Sequence, residues 1–246
     1  MGSERMKATL FEFRHRWWFI FAIFFLAFSA YDVDHVSMID ALARWGANHL
    51  GIAATRNTDR AIIAFGALLV ALGGLIRTWG TSYLRAEVMR DSRVHTERLL
   101  ADGPYRYVRN PLYIGNILLA IGAGLMASRI GFLILVVGMT LFVMRLILRE
   151  EADLARDQGE SYRSYCAAVP RILPALTPRV PSAGNRAYWG QGFRAELMYW
   201  LISLAMAAFA VTLNVRLFWA IFAVATVASL LAHRPGRSNK EQAAAN

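Results

Sequence analysis

Residues 103–115, GPYRYVRNPLYIG, lead into an apolar run. Residues 150–174, EEADLARDQGESYRSYCAAVPRILP, follow the next apolar run. Each block places Arg, Tyr and either Asn or Glu at a point where a hydrophobic helix should leave a membrane. Polar side chains at such points need a partner or a function, because an unsatisfied polar group is costly in a bilayer. The two blocks together are therefore predicted to form a functional site.

The composition is that of a membrane protein. Apolar residues make up 57% of the 246 residues, above the roughly 45–50% of soluble domains. The sequence predicts an all-α fold, a polytopic membrane helical bundle of about six transmembrane helices, although several runs are shorter than the roughly 20 residues of a comfortable span. The predicted spans are Trp17–Tyr31, Ala61–Trp79, Leu112–Ala127, Ile130–Leu148, Leu197–Leu213 and Leu217–Ala232.

The basic residues predict the orientation of these spans. With both termini in the cytoplasm, only five of the 27 Lys and Arg residues fall outside and all the others lie on the cytoplasmic side. This distribution agrees with the positive-inside rule. These five are Arg44, Arg56, Arg60, Arg129 and Arg216. The net charge of +10 then predicts contact with anionic lipid headgroups. Nucleic acid is not expected as a partner, because no recognition motif accompanies the charge.

The connections between spans differ in length on the two sides of the membrane, which predicts more folded structure on the inside. The short outside turns at 128–129 and 214–216 predict antiparallel hairpins, whereas the inside connections at 80–111 and 149–196 are long. In the second connection we expect an extension of the fourth span, a break at Gly159, a short tyrosine-bearing helix and then a proline-rich strap. The expected units are 1–60 with the first span and an external loop, a core at 61–181, and a C-terminal hairpin with a basic tail at 182–246.

Several chemistries find no support in the sequence. Cys166 is the single cysteine and the five histidines are scattered, so no metal site is predicted. No glycine-rich phosphate loop and no nucleophile triad is present. Glycines recur in the second and third runs, which indicates either close helix packing or backbone approach to a ligand. They are Gly66, Gly73, Gly74, Gly80, Gly115, Gly122 and Gly124.

The order and spacing of these motifs resemble those of the superfamily of isoprenylcysteine carboxyl methyltransferases and phospholipid methyltransferases, which are integral-membrane enzymes. GPYRYVRNPLYIG, the EEADL segment after one hairpin and YRSYCAAVPRILP carry the resemblance, which covers roughly Ala61 to Pro174. LIRTWGTSYL at 75–84 is similar to the Arg-x-Trp segment of the family. Asn110 stands where the carboxyl methyltransferases usually have His, a variant more typical of bacterial and phospholipid-type members.

The resemblance implies S-adenosylmethionine as the methyl donor. Arg106 or Arg109 would pair with its carboxylate, and Glu150 or Glu151 would bind its ammonium or ribose hydroxyls. Pro111 would start the third helix and leave backbone N–H groups free for an anion. The residues expected to bind the donor are Arg77, Trp79, Tyr105, Arg106, Arg109, Asn110, Pro111, Tyr113, Gly115, Glu150, Glu151, Tyr162, Tyr165 and Arg171.

The residues expected to take part in catalysis are Arg109, Asn110, Tyr113, Glu151 and Arg145. Neighbouring helical side chains point about 100° apart, so only one of Glu150 and Glu151 is expected to face the pocket. Arg145, inside the fourth run, is expected to pair with Glu151 or with an acidic substrate. Arg149 and Asp153 are spaced for a surface ion pair.

The implied reaction is methyl transfer to a lipophilic acceptor that enters from the membrane, at a site that faces the cytoplasm of a bacterial inner membrane. The acceptor stays open between an isoprenoid or prenylcysteine carboxylate, which needs no base, and a phospholipid amine, for which Glu151 or Tyr113 would take the proton. Two other classes also stay open. One is a membrane reductase of the sterol-reductase type that uses NADPH, and the other is a scaffold without catalytic activity.

Overall fold

A computed structural model describes residues 6–84 and 102–232. Within these ranges the chain is built from α-helices, turns and extended connections. Part of the first long inside connection, 85–101, and the predicted basic tail from residue 233 lie outside the described residues. The helices are α1 Leu10–Arg14, α2 Arg16–Ser29, α3 Met38–Leu50, α4 Arg56–Tyr83, α5 Pro111–Gly124, α6 Arg129–Gln158, α7 Glu160–Ala168, α8 Trp189–Ala195, α9 Leu197–Thr212 and α10 Val215–Ala232.

Each predicted span coincides with a helix, but the structure does not confirm six spans. Among the described residues, α4 and α6 are long and apolar enough to cross a membrane. Helices α8 and α9 would make a third span together, with a bend of 64° between them. Helices α5, with 14 residues, and α9, with 16, are short for a bilayer that takes about 20. Apolar runs in the sequence thus located the helices, whereas their lengths give only two or three membrane spans.

The predicted external loop contains a helix that the search for long apolar runs missed. In α3 polar and apolar residues are mixed, as in an amphipathic helix, so the sequence has no long apolar run there. Only Ala43 and Gly46 of this helix are buried. The Ser37 side chain caps its start by accepting from the amide of Asp40, and Gly51 ends it in the left-handed region at φ 66°. Local capping chemistry at Ser37 and Gly51 was the signal that could have revealed it.

Helices α4 and α5 approach each other through glycine. A Cβ atom on Gly66 would lie 2.8 Å from the carbonyl oxygen of Gly122, and one on Gly73 would lie 2.9 Å from that of Gly115. Side chains at these positions would therefore clash with the facing backbone. Of the two interpretations of the glycine pattern, close helix packing is the one that these contacts support.

Helix α6 continues past its apolar part to Gln158. It ends at Gly159, as predicted, because this glycine has a φ of 62°, which interrupts the helix. The short helix α7 carries the expected tyrosines. Residues 169–188 then form a non-helical segment, the strap, whose backbone runs against residues 102–110. Backbone amides of Arg109, Ala175 and Arg179 bond to the carbonyls of Pro170, Tyr107 and Arg106 respectively.

A buried aspartate holds the far part of the strap. The Asp102 carboxylate accepts hydrogen bonds from the Ser182 hydroxyl and from the backbone amides of Ala183 and Asn185. Burial opposes ionisation of this carboxyl, but these hydrogen bonds outweigh it and lower the pKa of Asp102 below its ordinary value. The Asp102 carboxylate is therefore charged at neutral pH and keeps its hydrogen bonds to the strap.

An apolar groove of about 540 Å³ lies at the opposite end of α4 from the two sequence blocks. Its position follows from α4 itself, since Ala61 in the groove and Arg77 are about 24 Å apart along the helix. The groove does not coincide with the site that the sequence predicts. Its lining residues are Leu42, Ile52, Asn57, Thr58, Ala61, Ile62, Phe65 and Leu125.

The glycine contact gives a test of the fold. A Cβ on Gly122 would lie 2.5 Å from the carbonyl oxygen of Gly66 and 2.8 Å from Val70, so Gly122→Ala should destabilise the protein by about 1–3 kcal/mol. Gly190→Ala is the control, because nothing lies within 4 Å of a Cβ there. Thermal unfolding in detergent should show a lower midpoint for Gly122→Ala alone. Equal midpoints for the two variants would contradict the close approach of α4 and α5.

Candidate functional site

The two sequence blocks meet at the carboxylate of Glu151. One oxygen accepts from Asn110 Nδ2 at 3.0 Å, and the other accepts from Arg171 Nε at 3.0 Å and forms an ion pair with Arg171 Nη2 at 2.8 Å. The Arg109 guanidinium lies 3.5 Å away. One side chain of α6 thus joins the segment before α5 to the first residues of the strap.

This cluster has more positive than negative charge. Arg109 and Arg171 share the single carboxylate of Glu151, and the Arg109 and Glu151 side chains are only 10% and 9% exposed. The Arg109 Nε atom is buried, lies 3.5 Å from Glu151 Oε1 and makes no hydrogen bond to any described residue. Buried polar side-chain atoms normally have a hydrogen-bond partner. Two guanidinium groups beside one carboxylate leave positive charge in excess among the described residues of the cluster, which favours an anionic ligand at this position.

Helix α5 begins beside this cluster, at Pro111 as predicted. Asn110 is in the capping position, but its side chain makes no cap bond to the helix. Its amide nitrogen instead donates to Glu151 and to the Arg171 carbonyl. The helix therefore has backbone N–H groups without a side-chain cap at its start, which is an environment that favours an anion.

Three of the predicted tyrosines surround the cluster. Tyr165 donates its hydroxyl to the Tyr105 carbonyl at 2.8 Å, and the Tyr162 and Tyr165 rings are 5.9 Å apart. Burial raises the pKa of all three phenols. At neutral pH they are therefore neutral groups, which can donate hydrogen bonds and present ring faces but do not act as anions.

Glu150 points away from Glu151, as the spacing on a helix predicts. Its carboxyl lies near the Tyr113 hydroxyl and faces the charge of Arg16 at the start of α2. Glu150 and Tyr113 therefore make a second polar contact, between α5 and α6, on the side of the N-terminal helices. Only Glu151 belongs to the group with Arg109, Asn110 and Arg171.

Arg77 belongs to a different cluster. Its guanidinium binds both carboxylate oxygens of Glu196, at 2.6 and 3.0 Å, and donates to Asn116 Oδ1 at 2.7 Å and to the Leu112 carbonyl at 3.1 Å. The Arg77 side chain also lies against Gly115, where a Cβ atom would clash with it. Arg77 and Gly115 are thus in contact with each other and with neighbouring helices.

The partners of Arg77 were not predicted from the sequence. Glu196, Asn116, Thr81 and Tyr199 all join its cluster, since Thr81 donates to Glu196 and Tyr199 to Asn116. Glu196 is buried directly before the apolar run at 197–213. A lone acidic residue at the edge of an apolar run was the available signal, because such a charge needs a partner.

The predicted pairing of Arg145 with Glu151 is wrong. Arg145 instead forms an ion pair with Glu12 at 2.7 Å, because its position on α6 faces the N-terminal segment. The Arg149–Asp153 pair is present at 3.5 Å, as expected.

Two further residues that were expected to bind the donor contact other parts of the chain. Arg106 donates to the Val180 carbonyl of the strap, and the Trp79 ring lies 6.0 Å from the Tyr107 ring.

The cluster predicts a large difference between two carboxylates of α6. Glu151→Ala leaves the buried guanidinium of Arg109 and the partly exposed one of Arg171 without their shared partner, and should cost about 3–5 kcal/mol of unfolding free energy. Asp153→Ala is the matched control, because Asp153 also contacts two arginines but is 35% exposed, so its loss should cost below about 1 kcal/mol. Chemical denaturation in detergent measures both. Similar losses for the two variants would contradict a central role for Glu151.

The central part of the chain matches a known family. The family model described as phospholipid methyltransferase matches residues 61–160. A protein-S-isoprenylcysteine O-methyltransferase of Schizosaccharomyces pombe is 30% identical over 92 residues, which are 37% of this chain and 39% of that protein. A methanethiol S-methyltransferase of Crocosphaera subtropica is 34% identical over 72 residues, 29% of this chain and 28% of that protein. No solved structure matches the chain.

The matches cover only part of each protein, since the chain spans less than two fifths of the length of either relative. The matched range nevertheless contains α5, most of α4 and all of α6, and therefore Arg109, Asn110 and Glu151. The resemblance of this segment to the superfamily of isoprenylcysteine carboxyl methyltransferases and phospholipid methyltransferases is confirmed.

Proposed function

We propose that the protein is an integral-membrane methyltransferase that transfers a methyl group from S-adenosylmethionine to a lipophilic acceptor. One observation carries the proposal. Arg109 and Arg171 converge on Glu151 beside the uncapped start of α5, and three of these four features lie in the segment that matches the methyltransferase family. The apolar helices α4 and α6 and the family match also favour a membrane location.

The residues of the cluster fit the chemical groups of the donor. Its α-carboxylate suits the surplus positive charge of Arg109 and Arg171, because guanidinium groups form charge-assisted hydrogen bonds with carboxylates. Its ammonium or ribose hydroxyls suit Glu151, and its adenine suits the ring faces of Tyr162 and Tyr165. When bound, the donor supplies an electrophilic methyl group on a sulfonium sulfur.

In this proposal the protein acts by positioning. The two arginines and Glu151 would fix one end of the donor, and the strap would cover the cluster and keep water out, since its backbone is bonded to residues 106–109. The acceptor would approach between the helices from the membrane. We infer a cytoplasmic orientation of the site from the distribution of Lys and Arg.

Within this class we favour an ionised acceptor such as an isoprenoid carboxylate. One oxygen of that carboxylate would form the new C–O bond while the S–CH₃ bond breaks and its electrons remain on sulfur, so no proton moves. Both oxygens of Glu151 already accept hydrogen bonds, and the Tyr113 hydroxyl lies near the Glu150 carboxyl. A neutral amine or thiol acceptor would need Glu151 or Tyr113 as a base, and for Glu151 those hydrogen bonds would have to break first.

The first test is binding and transfer with the purified full chain. Isothermal titration with S-adenosylhomocysteine should show binding, and methyl-labelled donor should label a product when supplied with prenylated acids or with total membrane lipids. Labelled methyl esters would support the carboxylate acceptor, whereas labelled phospholipid amines would replace it with the amine. Binding of NADPH without binding of S-adenosylhomocysteine would favour a reductase, and binding of neither would favour a scaffold.

The arginines give a second test. Arg171→Gln removes a charge-assisted contact worth about 1.5–3 kcal/mol, so the affinity for S-adenosylhomocysteine should fall about 10- to 100-fold. Arg163→Gln is the matched control, because this side chain lies nearby in the sequence on α7, is 68% exposed and pairs only loosely with Glu160 at 3.5 Å. Titration calorimetry measures both affinities. Equal affinities for the two variants would remove Arg171 from the proposed donor site.

A further inference from the structure

The Arg77–Glu196 pair is a buried ion pair between membrane helices. The two side chains are 12% and 5% exposed, and two hydrogen bonds of 2.6 and 3.0 Å join them. The Tyr199 ring lies under the guanidinium, 4.7 Å from Cζ to the ring centroid. Charges so far from water persist where the geometry satisfies both partners, because removing one leaves the other uncompensated.

The pair joins parts of the chain that are far apart in the sequence. Arg77 lies on α4 within the segment that matches the family, whereas Glu196 lies at the 64° bend between α8 and α9, outside that segment. Further contacts strengthen the same junction. Thr81 donates to Glu196 at 2.8 Å, and the Trp200 indole nitrogen donates to Thr78 at 3.0 Å.

Arg77 carries this junction to the start of α5. Its Nη1 atom donates to the carbonyl of Leu112, the residue that follows Pro111. The same nitrogen donates to Asn116, which also accepts from Tyr199. The first turn of α5 is therefore held from one side by Arg77 and, through Asn110, from the other side by Glu151. A shift of Arg77 would change the position of Arg109 and Asn110 relative to Glu151.

We propose that Glu196 is a positioning residue: it fixes Arg77 and thereby the first turn of α5, so that α8 and α9 complete the candidate site from outside the family-like segment. The effect on donor binding rests on the proposed function. The effect on α5 does not, because it follows from the hydrogen bonds of Arg77 alone. In this view the C-terminal helices are part of the site's architecture.

The test compares Glu196→Gln with Asp34→Asn in the full chain. The glutamine keeps the size of the side chain but removes the charge that binds Arg77. Asp34 is the matched control, because its buried carboxylate binds Arg129 at 2.7 Å near the start of α6, at the other end of the bundle. Hydrogen exchange by mass spectrometry should show faster exchange of the backbone amides of residues 112–116 in Glu196→Gln and unchanged exchange there in Asp34→Asn.

Donor binding is the second readout. The Kd for S-adenosylhomocysteine should rise about tenfold or more in Glu196→Gln, should rise less in Thr81→Val, which removes one hydrogen bond to Glu196, and should not change in Asp34→Asn. If Glu196→Gln fails to fold, Thr81→Val carries the test by the same two measurements.

Unchanged exchange of the amides at 112–116 in both Glu196→Gln and Thr81→Val would overturn the proposal, and so would equally faster exchange in Asp34→Asn. A parent protein that does not bind S-adenosylhomocysteine would instead reject the proposed function, while the exchange data would still decide the role of Glu196. The two failures are therefore distinguishable.

Discussion

The carboxylate of Glu151 connects three parts of the chain that an apolar bundle alone would leave unconnected. It accepts from Asn110 before α5, it binds Arg171 at the start of the strap, and it lies 3.5 Å from Arg109. Each of these groups would be costly to bury without the others. The start of α5, the C-terminal part of α6 and the strap are therefore held in one arrangement, and the candidate site is a consequence of that arrangement.

A second buried ion pair supports the same region from the opposite side. Arg77 and Glu196 connect α4 to the bend between α8 and α9, and Arg77 also reaches the first turn of α5. The α4–α5 contact through glycine allows this, because Gly115 leaves room for the Arg77 side chain. The two ion pairs and the glycine contact together fix where α5 begins, which is where the proposed donor would bind.

Local sequence signals predicted much of the helical structure. Pro111 starts α5 because its ring suits the first helical position, and Gly159 ends α6 because it adopts a positive φ. The prolines after α7 predicted the non-helical strap. Helix α3 was missed because an amphipathic helix has no long apolar run. Six spans were predicted because each apolar run was taken as a span, although several are shorter than the roughly 20 residues that a span needs.

Residue types and their spacing along the chain were enough to predict the helical, membrane-type composition, the two polar blocks at helix ends and the resemblance to membrane methyltransferases. The partners of the charged residues follow instead from how the helices pack. Arg145 binds Glu12, Arg77 binds Glu196 and Arg171 binds Glu151. Two of these pairs join residues more than 100 positions apart, which helix packing brings together and which no local pattern encodes.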